Sequence, residues 1–170
     1  MAIDTGAAVD PQDAQDIESD LFRIDALLST GIFRPECSGH PLLASAFTEL
    51  VIVLRDLLHK CERYARRIDF TDDVIQNDYV RDVTDAVTAA RDACCHVDSF
   101  KRTFDDRGNR GSFIVMYGKG TAVAIGDLNL GSDYEDDTAV WFGTNRLYLG
   151  RHVIRAVEEA ATLLKPLIAR

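Results

Sequence analysis

The sequence predicts a mainly α fold, a four-helix bundle with a small antiparallel β insertion before the last helix. Two patterns carry that expectation. Apolar residues recur at spacings of three and four in four separate stretches, the signature of helices that bury one face. Between the third and fourth stretches the period changes, and short β-prone runs flank glycine-containing turns. At 170 residues, 46% apolar and 28% charged, the chain suits one domain with a sizeable core. Residues 11–170 are therefore read as a single helical domain, with the β insertion at about 111–149.

Residues 1–10 are small and acidic, without a period, and read as a disordered arm. The first helix covers about 11–29, with Ile17, Leu21, Ile24 and Leu28 on one face, Pro11 at its start and Gly31 past its end. A connector follows over 31–40. The second helix, about 41–68, has the strongest pattern: Leu43, Phe47, Leu50, Leu54, Leu57, Cys61, Tyr64 and Ile68, widened by Val51, Ile52, Val53 and Leu58. So wide a stripe predicts a central helix covered on several sides. Its last turns carry Lys60, Arg63, Arg66 and Arg67, where a helix end favours cations and where a basic rim would guide phosphate.

A polar break over 69–78 leads to a third helix marked by Val80, Val83, Val87, Ala90, Cys94 and Val97. The loop 101–111 holds a second basic patch, Arg102, Arg107 and Arg110. Residues 112–117 and 121–125 flank Gly118-Lys119-Gly120 and predict a hairpin. Two further strands, 138–142 and 146–149, flank Gly143-Thr144-Asn145. The last helix, about 150–167, closes the bundle with Val153, Val157, Ala160, Leu164 and Leu167.

The net charge of -9 argues against gripping nucleic acid by general electrostatics, so an RNA substrate would have to meet a local basic cleft. Cys37, Cys61, Cys94 and Cys95 have no scaffold spacing and read as reduced thiols of a cytoplasmic protein. Residues 1–15 lack a basic start and an apolar core, and no later run approaches membrane-spanning length, so neither a signal peptide nor a membrane partner is expected. No metal or cofactor is expected either. Cys94, Cys95 and His96 with Cys61 or His59 lack zinc spacing, Gly118-Lys119-Gly120 lacks the rest of a phosphate loop, and the acidic run 133–137 lacks the ligand spacing of a calcium loop. His40 and His152 have no partner in the pattern and read as surface residues.

The stretch with chemical content is Arg91-Asp92-Ala93-Cys94-Cys95-His96. Arginine offers a permanently charged planar fork to phosphate oxygens, and histidine exchanges protons near neutrality. Together they suit metal-free phosphodiester cleavage. On a straight helix the two side chains would point about 140° apart. They converge only if the helix ends between them or a second copy supplies a partner. Asp92, one turn before His96, is placed to hydrogen-bond the imidazole. Arg55 and His59 form a similar pair with a shorter spacer and read as structural.

An Arg, a polar residue, a short spacer and a His on a core helix resemble the motif of the HEPN superfamily (higher eukaryotes and prokaryotes nucleotide-binding), and residues 49–58 are similar to a core helix of such bundles. The resemblance covers roughly 11–100 and 150–168. It implies a HEPN-like four-helix bundle and a metal-independent endoribonuclease acting as a homodimer with a composite site. His96 would be general acid/base in attack of the ribose 2′-hydroxyl, Arg91 would hold the phosphate, and Asp92 would orient the site. A 2′,3′-cyclic phosphate would be left. Lys60, Arg63 and Arg102 are the candidate substrate-binding residues. Many such proteins are toxins or defence effectors with a cognate protein partner. Members silenced by nucleotidylation carry a Tyr two residues after the His; Asp98 stands there, which disfavours that regulation. The alternative expectation is a non-catalytic HEPN-like helical dimer that binds a nucleotide or a protein partner.

Overall fold

The computed structural model describes residues 8–105, 108–111, 113–126 and 128–169. Most of the expected N-terminal arm, Arg107 of the second basic patch and Ser112 lie outside the described residues.

Helix α1 (Pro11–Ser29) starts where the Asp10 carboxylate accepts from the Gln12 N–H and proline fills the first helical position. It buries Ile17 and Ile24. Helix α2 (Leu43–Tyr64) buries Phe47, Leu50, Val51, Val53, Leu54, Leu57, Leu58 and Cys61, which lie on several of its sides, as its wide stripe predicts. The helix stops at Tyr64, yet Ile68 still enters the core from the extended segment that follows. That segment is anchored by Arg67. Its Nε and Nη2 each lie 2.9 Å from an oxygen of Asp82, and Nη2 also donates to Asp85 at 2.6 Å. Asp82 in turn caps helix α3 (Val83–Cys95) by accepting from the Asp85 N–H. One guanidinium thus ties the exit of α2 to the entry of α3 and starts α3 later than its apolar pattern suggests.

Five strands follow: β1 (Ile114–Tyr117), β2 (Gly120–Ile125), β3 (Leu128–Ser132), β4 (Thr138–Phe142) and β5 (Asn145–Tyr148). The β4–β5 hairpin forms as expected, with Gly143 at φ +56° in its turn. The expected pairing across Gly118-Lys119-Gly120 does not form. Instead β1 pairs antiparallel with β4, and β2 pairs with β3, a strand the sequence pattern did not reveal. The sheet order is β1-β4-β5, with β2-β3 as a separate two-stranded sheet. Helix α4 (Arg155–Ile168) is entered through a π-helical turn over Leu149–Ile154.

These strands overturn the expectation of a mainly α four-helix bundle with an inserted β element. Among the described residues, 51% are helical and 18% lie in strands of two antiparallel sheets, a mixed α/β fold. The physical reason is where the strands bury their side chains. Val140, Phe142 and Leu147 belong to the same core as Leu50, Val87 and Val153, and Phe113 packs on Phe47. Helix α2 packs against α1, α3 and α4, whereas α3 also packs against β5 and β4. The three-stranded sheet is therefore a wall of the main core. Its Ala139, Trp141 and Tyr148 form a second cluster with Leu130 of β3. No described helix is long and apolar enough to cross a membrane.

His152, expected at the surface, is 0% exposed. Its Nδ1 accepts from the Tyr148 N–H at 3.1 Å, and its Nε2 lies 2.9 Å from the Asp72 carbonyl, to which it donates. Those two bonds select a neutral ring. Burial lowers its pKa, and the Asp72 carbonyl offsets this only in part. His40, by contrast, is exposed.

A pH dependence follows from the buried imidazole. Its folded-state pKa lies below the ordinary 6.5, so the unfolded chain binds the proton more readily and stability falls as pH drops below that value. Asp20 acts in the opposite sense, because burial raises its pKa to about 6. The isolating measurement compares wild type with His152→Gln in urea unfolding between about pH 8 and pH 5. The wild type should lose stability more steeply than the variant on acidification. Equal slopes would refute the assignment.

Candidate functional site

Helix α3 ends between Arg91 and His96. Cys95 is its last residue, and His96 takes φ −118° and ψ 110° while its backbone N–H still donates to the Asp92 carbonyl at 3.0 Å. The turn out of the helix removes the angular separation of a straight one. Arg91 Nη1 comes to 3.3 Å from His96 Nε2 within a single chain. A guanidinium only donates, so Nε2 must accept and the neutral ring carries its proton on Nδ1.

Asp92 does not bond the imidazole through its carboxylate. Its Oδ1 accepts from Arg91 Nη1 at 3.2 Å and its Oδ2 from Lys101 Nζ at 2.5 Å. Burial pushes its pKa up, but the hydrogen bonds from Lys101 and Arg91 outweigh this and hold it below the ordinary carboxylate value. Lys101 comes from a short 3-10 turn, Phe100–Arg102, in which the Lys101 N–H donates to the Ser99 hydroxyl at 3.3 Å. Its ammonium also lies 5.7 Å from the centre of the Tyr79 ring. Asp92 is therefore the hub that holds Arg91 and Lys101 beside the exposed His96.

Sequence reading did not single out Lys101. Its only signal was Ser99, a capping residue four positions after the helix, followed by Phe100 and the basic pair Lys101-Arg102. Arg102 and Arg110 both donate to the Val97 carbonyl, at 3.4 and 3.3 Å, so the loop after His96 carries more cations than the net charge of the chain suggests. Val97 and Phe100 stand beside them, 74% and 65% exposed.

Of the three expected substrate-binding residues, the structure brings only Arg102 next to His96. Lys60 is buried between Asp20, at 3.5 Å, and Asp56, with which it makes a close ion pair. Arg63 pairs with Asp13 of α1 at 3.0 Å. Both line a cleft with His59 on α2. Arg91 also lines a cleft of about 210 Å³ shared with Asp20, Arg23, Arg55 and Asp56. There Arg55 Nε is buried without a hydrogen-bond partner among the described residues. Burial, then the charge of Arg55, lowers the pKa of His59.

Among the described residues, no three or more His, Cys, Asp or Glu side chains are grouped so as to hold a metal ion. All four cysteines are unpaired thiols. No family model matches the sequence, and neither a curated protein nor a solved structure matches it.

The tautomer can be checked directly. Nitrogen–proton correlation spectra of the neutral ring should place the proton of His96 on Nδ1 in wild type and shift the balance toward Nε2 in Arg91→Ala. A wild-type ring protonated on Nε2 would show that the Arg91 contact does not persist in solution.

Proposed function

We propose that this chain is a metal-independent endoribonuclease in which Arg91 and His96 form the reacting pair. The observation that carries the reading is the termination of α3 between them, which sets the guanidinium against an exposed imidazole. Arg91 and Lys101 supply positive charge where a phosphodiester gains negative charge in the transition state. Asp92 positions both. The spacing that resembles the HEPN motif supports the same reading at the level of the motif, without the bundle fold that the resemblance implied.

The chemistry assigns a role to each atom. A phosphate docking at the site draws Arg91 away from His96 and frees the Nε2 lone pair. Nε2 then takes the proton of the ribose 2′-hydroxyl as its oxygen attacks phosphorus, the bond to the leaving 5′-oxygen breaks, and a 2′,3′-cyclic phosphate remains. The leaving oxygen needs a proton from a second acid. A homodimer would provide the same histidine from a second copy, and the exposed Val97 and Phe100 offer apolar surface beside the site for that contact. Four unpaired cysteines suit a cytoplasmic setting for this activity.

A second reading, a module that binds RNA, a nucleotide or a protein partner without cleaving it, is favoured by the way Arg91, Asp92, Lys101 and His96 already satisfy one another. Incubation with mixed RNA in EDTA, with end-group analysis, separates the two. The wild type should leave cyclic phosphate ends, and His96→Ala or Arg91→Ala should each lower the rate by about 100-fold or more. Absence of cleavage, with RNA still retained in a binding assay, would select the binding module. Cleavage undiminished in both variants would reject the assigned residues.

A further inference from the structure

The β half of the molecule holds a cleft that the Arg91–His96 site does not use. It measures about 290 Å³, near the small end for ligand sites, and is lined from β2, β3, β4, β5 and the turn before β2. Arg146 of β5 stands opposite Trp141 of β4 in the sheet register. Its guanidinium carbon lies 4.3 Å from the centre of the Tyr148 ring and 5.4 Å from that of Trp141, with the side chain only 11% exposed. Rings covering a guanidinium hold its plane and leave its edge donors to be satisfied. One is: Nη1 donates to Asp133 at 2.9 Å. Another is not, since Nε is buried without a partner among the described residues. A buried N–H left unpaired is costly, and the strand holds it there for the sake of the ring packing.

The groups that line the cleft indicate which ligand chemistry it suits. Lys119, at the turn between β1 and β2, is exposed and makes no ion pair among the described residues. Arg146 and Lys119 set a planar fork and a point charge on one small cavity, the combination that suits phosphate oxygens. Asp133 contributes the opposite polarity. Its Oδ2 accepts from Arg146 and from the Tyr148 hydroxyl, and its carboxylate is 74% exposed, which leaves acceptor capacity for hydroxyl donors. Thr121 and Asn129 add neutral polar groups to the rim. A bare polyanion would be repelled by Asp133, and a neutral sugar would leave Lys119 and the Arg146 edge unused.

We propose that this cleft binds a small phosphorylated polyol, with Arg146 and Lys119 holding the phosphate and Asp133 accepting hydrogen bonds from the hydroxyls. None of these residues belongs to the proposed nuclease site, so the two readings stand or fall separately.

Trp141 is the only tryptophan in the chain and lines the cleft, so its emission reports occupancy. The full-length protein is titrated with glycerol phosphate, and separately with glycerol, inorganic phosphate and succinate, with calorimetry as a second readout. Glycerol phosphate should give a saturable change and the tightest binding of the four. Arg146→Gln should weaken it by about tenfold or more, as loss of a charge-assisted pair does. Because Arg146 also packs on two rings, Lys119→Ala is the companion variant. It should weaken binding while leaving the unliganded emission and the thermal midpoint unchanged. Succinate binding as tight as glycerol phosphate would overturn the phosphate assignment. Undiminished affinity in both variants, or no saturable change in emission or heat with any of the four compounds, would overturn the site.

Discussion

The wide apolar surface of α2 is the constraint from which the architecture follows. A helix that presents Phe47, Leu50, Val51, Val53, Leu54, Leu57, Leu58 and Cys61 to the interior cannot be covered by one neighbour. Helices α1, α3 and α4 all pack on it. The three-stranded sheet joins the same core through Val140, Phe142 and Leu147, and Phe113 reaches Phe47. The strands are integral because α2 and α3 leave apolar surface that alternating residues of β4 and β5 can cover. A strand sends successive side chains to opposite faces, so the same two strands also supply Trp141 and Tyr148 to the smaller cluster on the other side.

The connection from α2 to α3 sets the position of the candidate site. Arg67 spans Asp82 and Asp85 and so fixes where α3 begins. The helix runs for 13 residues and releases the backbone at His96. Arg91 and His96 meet because one side chain belongs to the helix and the other to its cap. Asp92 then collects Arg91 and Lys101, and the loop carbonyl of Val97 collects Arg102 and Arg110. A shift of the helix end by one residue would rotate His96 by about 100° and separate the pair.

Charge distribution explains how an acidic chain can carry a local cationic group. Carboxylates outnumber Lys and Arg by 28 to 19, and many of the basic side chains are occupied structurally. Lys60 is held by Asp20 and Asp56, Arg63 by Asp13, Arg67 by Asp82 and Asp85, and Arg155 by Asp72 and Glu159. The cluster at the end of α2 is thus part of the scaffold, although in sequence it reads as a rim for phosphate. Beside His96 one carboxylate, Asp92, serves both Arg91 and Lys101. Charge excess arises there from shared partners, which composition does not reveal.

Much of the local structure was legible in the residues themselves. The spacing in α1, α2 and α4 encodes which face is buried, and that information is local. The Gly143 turn likewise announces the β4–β5 hairpin, because a positive φ is needed at that one position. The Arg91–His96 pair could be selected by residue type, and its geometric condition could be stated, from sequence alone. Tertiary structure decided the rest. Strand pairing is non-local, so the choice of β4 over β2 as the partner of β1 depended on which edges and apolar faces remained uncovered. His152 became a core residue because the turn into α4 carries it against the Asp72 carbonyl, 80 residues away in sequence, while the Tyr148 N–H four residues earlier holds the other side of its ring. Lys101 joined the site because a short capped turn folds it back onto Asp92. Sequence by itself determined the faces of the helices and the chemical identity of the candidate pair, since both are properties of residue type and spacing. The tertiary structure alone decided the mixed α/β core, which depends on which distant surfaces meet once water is excluded, and the convergence of charged groups, which depends on where the chain turns after α3.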